Sequence, residues 1–184
     1  MTPAPEIPAR IALIGFMGSG KTTVARILAQ ALGLQPVDLD SLIEKRAGSS
    51  VARIFAEQGE QAFRDREADA LASLASREGV VIAAGGGAPI DERNREFFLR
   101  RSRTFFLRVS LETARHRTKR GAGRPLLQSG ARAVRLLYEE RLPLYRSFGQ
   151  EVDTEARTPE EVAGEILSLL GRPTASGSPG ESDG

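Results

Sequence analysis

The sequence predicts an α/β fold: a parallel sheet organised around a phosphate-binding loop. Three observations carry this expectation. Residues 15–23 read Gly-Phe-Met-Gly-Ser-Gly-Lys-Thr-Thr, a complete G-x-x-x-x-G-K-[ST] pattern. The pattern lies between a short apolar run, Ile11–Ile14, and a helical stretch, Val24–Leu32, that ends at Gly33. Beyond it, strand-like and helix-like segments alternate through the chain, as they do when parallel strands are joined by helical crossovers.

The elements follow in order. Ile11–Ile14 is apolar throughout, as a strand covered on both faces requires. Glycines 15, 18 and 20 let the backbone fold back with its N–H groups inward, along a path that side chains would obstruct. The next helix adds its free N–H groups and positive dipole end, so Gly18, Ser19, Gly20, Lys21, Thr22 and Thr23 form a cradle for nucleotide phosphates. In such a cradle Lys21 reaches the terminal phosphates and the Thr22 hydroxyl holds Mg²⁺. Gln35–Asp40 reads as a second strand ending in two aspartates, with a helical stretch starting at Ser41. Ser50 caps a helix that begins at Val51, and a longer helix runs from about Glu60 to Arg77.

Gly79–Ala84 is a buried strand halted by Gly85, Gly86 and Gly87. Asp91–Arg101 is predicted helical and Thr104–Val109 is a fourth strand. A short helix then leads into Lys119–Pro125, a polar, glycine-bearing loop and the expected mobile lid. Ala131–Tyr145 is helical, with Pro143 breaking its last turn. Gln150–Asp153 is a weak fifth strand. Thr158-Pro159-Glu160-Glu161 opens the last helix with a cap, a first-turn proline and acids at the positive end. A flexible N-terminus (1–9) and a disordered tail rich in Ser, Gly and Pro (172–184) complete the expected organisation.

Composition narrows the function classes. The chain has 184 residues, 40% of them hydrophobic, enough for one domain with a full core. It has no cysteine, which removes disulfides, thiolate metal sites and cysteine nucleophiles and suits a reducing cytoplasm. His116 is the single histidine, too few for a histidine-based zinc site or triad. No apolar run approaches the roughly 20 residues that span a bilayer, and residues 1–8 lack a signal-peptide pattern. A cytoplasmic protein without a membrane partner is therefore expected. Net charge is only +2, yet Arg100–Arg124 holds nine basic residues against one acid, Glu112. Stacking aromatics are missing between Arg108 and Arg124 and the chain has no Trp, so nucleic acid is not the expected partner.

Several motifs point to chemistry beyond the phosphate loop. Asp38 and Asp40 end a strand beside that loop, at the sheet edge where α/β proteins bind ligands. A carboxylate there can hold the Mg²⁺ shell or accept a hydroxyl proton; Asp40 could also cap the helix at Ser41. Phe63-Arg64-Asp65-Arg66-Glu67 puts Arg64 and Glu67 on one helix face, which by itself reads as an ordinary ion pair. Gly85-Gly86-Gly87 suits a place where a ligand approaches the main chain closely. Arg124-Pro-Leu-Leu127 and Arg141-Leu-Pro-Leu-Tyr145 each place an arginine just before a proline that limits the local backbone.

In this order and at these spacings, the motifs resemble the shikimate kinase family over residues 10–170, including Val152-Asp153-Thr154 and Pro159. The resemblance implies a P-loop, nucleoside-monophosphate-kinase-like fold: a five-stranded parallel sheet flanked by helices, with a substrate-binding region and a lid at about 117–128, all within a domain spanning 10–171. It implies transfer of the ATP γ-phosphoryl group to the 3-hydroxyl of shikimate, with Mg²⁺, by a monomer. Carried onto matching positions, Asp40, Phe63, Arg64, Glu67, Gly85, Gly86, Gly87 and Arg141 form the substrate site. Arg64 and Arg141 clamp the carboxylate, and Glu67 orients Arg64. Lys21, Asp40 and Arg124 are the catalytic set, Arg124 being the lid arginine. Thr22 and Asp38 hold the metal, and Arg117, Arg157 and Pro159 meet the adenine. A gluconate-type kinase would share the phosphate loop without pairing Asp38-x-Asp40 with Arg141. A catalytically idle sensor of kinase ancestry would often have lost Lys21 or an acid.

Overall fold

Strand β1 (Arg10–Ile14) runs through the centre of the sheet and sends alternate side chains to two covered faces. Ile11 and Leu13 enter one apolar cluster and Ala12 and Ile14 the other. The computed structural model describes residues 8–118 and 130–172. Within them the chain forms α1 (Lys21–Leu32), β2 (Gln35–Asp38), α2 (Leu39–Ala47), α3 (Val51–Leu74) and β3 (Val80–Ala83). It continues through β4 (Arg103–Arg108), α4 (Leu111–Thr118), α5 (Gly130–Phe148), β5 (Gln150–Asp153) and α6 (Pro159–Leu169).

The five strands are all parallel, in the order β2-β3-β1-β4-β5. This is the predicted architecture. Helices α1 and α6 cover one face through Val24, Leu28, Val162 and Ile166. Helices α2, α3 and α5 cover the other through Ile43, Ile54, Leu71 and Phe148. Because β1 is flanked by β3 and β4, the chain leaves it in opposite directions on its two sides. A crevice opens at such a point, above the carboxyl ends of the strands.

Boundaries differ from the sequence-based expectation at several elements, four of them for a clear local reason. Strand β2 ends at Asp38, because the Asp38 carboxylate accepts the Ser41 N–H (3.1 Å) and caps α2. Asp40 therefore lies in the first turn of α2 and is not its cap. The two helices expected after Ser50 form one element, bent at Gly59, whose φ of 82° no helix accommodates, and it stops at Leu74, short of Arg77. The helix expected over Asp91–Arg101 is instead one 3₁₀ turn, Glu92–Asn94, and one wide turn, Phe97–Arg101, with another 3₁₀ turn, Ala88–Ile90, just before them. Side chains take the backbone groups a regular helix would use: Asp91 accepts the Arg93 N–H (3.0 Å), and the Ser102 and Thr104 hydroxyls donate to the Phe97 and Phe98 carbonyls (3.1 and 2.6 Å). Helix α5 continues past Tyr145 to Phe148 with Pro143 inside it. Burial of Tyr145 and Phe148 offsets the backbone bond that Pro143 cannot donate.

Thr158 and Glu161 exchange the two reciprocal bonds of a capping box at the start of α6 (3.2 and 2.7 Å). Among the described residues no helix is long and apolar enough to cross a membrane. The expected N-terminal arm, the lid loop with Arg124 and the C-terminal tail lie wholly or mostly outside the described residues.

Candidate active site

The carboxyl ends of all five strands bring the sequence-predicted residues to one edge of the sheet. The phosphate loop leaves β1 and wraps onto α1, with Gly20 in the left-handed region (φ 89°) just before Lys21. Gly18 also has positive φ (76°), and a Cβ there would lie 2.9 Å from the Ala114 carbonyl oxygen of α4. Only glycine meets both conditions. Lys21 Nζ donates to the carbonyls of Gly15 (2.8 Å) and Phe16 (2.9 Å) and to Ser19 Oγ (3.3 Å), so its charge is held over the loop. Ser19 is buried and Thr23 is exposed at the start of α1.

Beside the loop, Thr22 Oγ1 donates to Asp38 Oδ2 (2.7 Å). A hydroxyl and a carboxylate in contact are the sparse protein ligand set that suits Mg²⁺, which keeps most of its shell as water and phosphate oxygen. The residues present fit that ion.

The substrate-side residues gather around the triple glycine. The Arg64 guanidinium lies on Gly87 so closely that a Cβ there would be 2.2 Å from Nη1. A side chain at 87 would push this guanidinium aside, so the glycine leaves room for Arg64 to rest there. A Cβ on Gly85 would stand 2.9 Å from Glu67 Oε1 and 3.0 Å from Asp40 Oδ1, so two carboxylates from different helices converge above that glycine. Arg64 Nη1 donates to Glu67 Oε2 (2.7 Å), and Phe63 forms the wall beneath, its ring 5.3 Å from the Arg64 guanidinium carbon. Arg141 is buried (6% exposed), has no ion pair among the described residues, and its Nε has no hydrogen-bond partner. Its Nη1 approaches Gly86. A cation left in this condition is costly unless an anion joins it.

The nucleotide-side residues form a second group. Arg117 donates to Gly18 O (3.3 Å) and to Thr154 O (2.9 Å), linking α4, the phosphate loop and the turn after β5. Pro159 starts α6 at the far side of that turn. Arg157 is committed to its own turn: it donates to Asp153 O (3.1 Å) and Glu161 O (3.0 Å) and pairs with Glu165. Arg124 lies outside the described residues.

Two participants carried no role in the sequence-based expectation. Tyr145 donates to Gly86 O (2.5 Å) and hydrogen-bonds Arg141, so it fixes both sides of the triple-glycine turn, and burial pushes its pKa up to about 12. Its spacing from Arg141, one helical turn, was the available signal. Asp91 faces Arg64 and Glu67 from the turn after β3. Nothing local in the sequence marked it.

Glu67 is fully buried, its Oε1 has no hydrogen-bond partner, and its pKa is raised to about 7. Burial is the main cause; Arg64 opposes it, while the carboxylates of Asp40 and Asp91 add to it. The folded state therefore holds this proton more tightly than the unfolded chain between the ordinary value of 4.5 and about 7. Stability is lost as pH rises through that window and is level above it, by about 3 kcal/mol at 1.36 kcal/mol per pKa unit. Thermal unfolding of the parent and of Glu67→Gln from pH 5 to 8 checks this. The parent should lose midpoint relative to the variant up to pH 7, and a constant difference would overturn the assignment.

The profile of the shikimate kinase family matches residues 17–171. The chain is similar to the shikimate kinase of Pseudomonas putida, at 42% identity over 161 residues, 86% of this chain and 94% of that protein. It is similar to the structure of shikimate kinase from Acinetobacter baumannii in complex with shikimate, with a TM-score of 0.84 at 39% identity, covering 90% and 94% of the two chains. A gluconokinase from Sinorhizobium meliloti shares the fold at a TM-score of 0.60 and 21% identity, covering 89% and 92% of the chains.

Proposed function

The chain belongs to the shikimate kinase family, and from that premise we infer its reaction: transfer of the γ-phosphoryl group of ATP to the 3-hydroxyl of shikimate, a step of the chorismate and aromatic amino acid pathway. It is an enzyme that binds ATP and a small-molecule substrate. One observation carries the residue assignment: among the described residues the buried Arg141 has no carboxylate partner, while Arg64, paired with Glu67, lies against Gly87 and Asp40 reaches Gly85. Two arginines and the Asp40 carboxylate around one glycine turn match a small ring acid bearing hydroxyls.

In this assignment Arg64 and Arg141 hold the substrate carboxylate, with Glu67 and Tyr145 orienting them. Asp40 holds a ring hydroxyl and accepts the proton that leaves the attacking oxygen. Phosphoryl transfer asks the protein mainly for alignment and charge neutralisation. The backbone N–H groups of residues 18–23 hold the phosphates, and Lys21 meets the charge that spreads over the transferring group. Thr22 and Asp38 would hold Mg²⁺, which neutralises phosphate charge when bound. Arg117, Arg157 and Pro159 belong to the base side, and Arg124 to the lid. The assignment includes a monomeric, cytoplasmic enzyme.

An assay of ADP release in the presence of ATP and shikimate tests the reaction. Gluconate in place of shikimate should give only background release, and no shikimate-dependent release would point to an idle sensor. The same assay tests the carboxylate clamp through Arg64→Lys, which keeps the charge and loses the planar fork. Bonds to a charged group are worth roughly 1.5–3 kcal/mol, so the shikimate KM should rise about tenfold or more with the ATP KM nearly unchanged. A rise confined to the ATP KM would move Arg64 to the nucleotide side.

A further inference from the structure

Glu155 has no part in the reaction as assigned, yet it ties together two segments that flank the phosphate loop. It stands in the turn between β5 and α6, directly before Ala156, whose φ of 50° is the one positive value among the described non-glycine residues. Such a backbone persists only where surrounding contacts over-determine it. The Glu155 carboxylate accepts the Ser110 backbone N–H and the Thr113 hydroxyl (2.8 Å). Both donors belong to the start of α4, where Ser110 Oγ also accepts the Thr113 N–H (3.1 Å). The carboxylate thus sits against the positive end of a helix and satisfies a donor there. These bonds, that of Ser110 first, hold its pKa below the usual carboxylate range, with Arg117 contributing in the same direction.

The other end of α4 is fastened to the same turn. Arg117 donates to Thr154 Oγ1 (3.3 Å) as well as to Thr154 O, and also reaches Gly18 O. Between these two ties α4 packs on the phosphate loop, with Ala114 and Thr118 filling the space a side chain at Gly18 would need. Helix α4 and the turn after β5 therefore cannot separate without breaking the bonds of Glu155.

We propose that Glu155 is a positioning residue for the nucleotide base: by bonding Ser110 and Thr113 it locks α4 to the turn after β5 and sets the spacing between Arg117 and Pro159, where the base is held. The proposal rests on the assignment of Arg117 and Pro159 to the base. Its signature is selective. Loss of the lock should weaken ligands that carry a base and spare a bare polyphosphate, because the phosphate cradle is built by other residues.

Titration calorimetry of the full chain with ADP and with inorganic tripolyphosphate, each with Mg²⁺, reads this directly. Glu155→Ala should bind ADP at least about fivefold more weakly, bind tripolyphosphate as the parent does, and keep the shikimate KM. Glu155→Gln should fall between, since its amide keeps one acceptor and turns an NH₂ toward the other donor. Should Glu155→Ala fail to fold, Thr113→Val removes one hydroxyl only and should show the same selectivity at about twofold. Equal losses for ADP and tripolyphosphate, or no loss for either, would overturn the proposal. Arg117→Ala separates it from its premise. If that variant weakens ADP selectively while Glu155→Ala does not, Glu155 has no positioning role. If Arg117→Ala leaves ADP binding intact, the base assignment falls, and the proposal with it.

Discussion

Replacing Lys21 by Ala should lower kcat by about 10²-fold or more, the cost of removing charge stabilisation that acts in the transition state. The ammonium already sits in the phosphate loop, donating to Gly15 O, Phe16 O and Ser19 Oγ. Exchanging those neutral acceptors for phosphate oxygens strengthens each bond, and the gain is largest when charge spreads over the transferring group. The loss should therefore appear in kcat more than in the ATP KM. Because α1 keeps Val24, Leu28 and its other core contacts, the unfolding midpoint should move by no more than about 5 °C. Rapid-quench measurement at saturating ATP and shikimate checks this. A variant keeping more than about a tenth of the parent kcat would remove Lys21 from the assigned role.

Asp40→Asn should be comparably severe, with kcat falling about 10²-fold or more, as loss of a positioned proton acceptor usually requires. The side chain stands in the first turn of α2, its Oδ1 beside Gly85 and facing the same point as Glu67 Oε1. Asparagine keeps the shape and can still meet a ring hydroxyl, so the shikimate KM should change far less than kcat. The split between kcat and KM separates accepting a proton from holding a hydroxyl. A variant whose kcat stays within tenfold of the parent while its shikimate KM rises would leave Asp40 a binding residue only.

The phosphate loop was legible because its chemistry is local. Glycines at fixed offsets, a lysine and a hydroxyl residue between an apolar strand and a helix need no distant partner to make a phosphate cradle. The strands were legible for a related reason: in a sheet covered on both faces each inner strand is a short apolar run, and β1 and β3 are just that. Boundaries were less legible where side chains compete for backbone donors or for space in the core. Asp38 rather than Asp40 caps α2, and the Ser102 and Thr104 hydroxyls take the Phe97 and Phe98 carbonyls in a stretch whose spacing suggests a regular helix.

By itself the sequence determined the phosphate loop, written in a pattern shorter than one strand-helix unit, and the fold class, written in the alternation of such units along the chain. Only the tertiary structure decided how the remaining residues come together. Arg64 and Glu67 read as an ordinary surface pair until the fold lays the guanidinium on Gly87 and buries the carboxylate beside Asp40. Arg141 resembles any other helix arginine in this arginine-rich chain until α5 carries it inside, to within reach of Gly86 and with no carboxylate partner among the described residues. The physical reason is common to both: burial and the approach of charges from separate elements set the cost of an ion, and neither exists until the chain has folded.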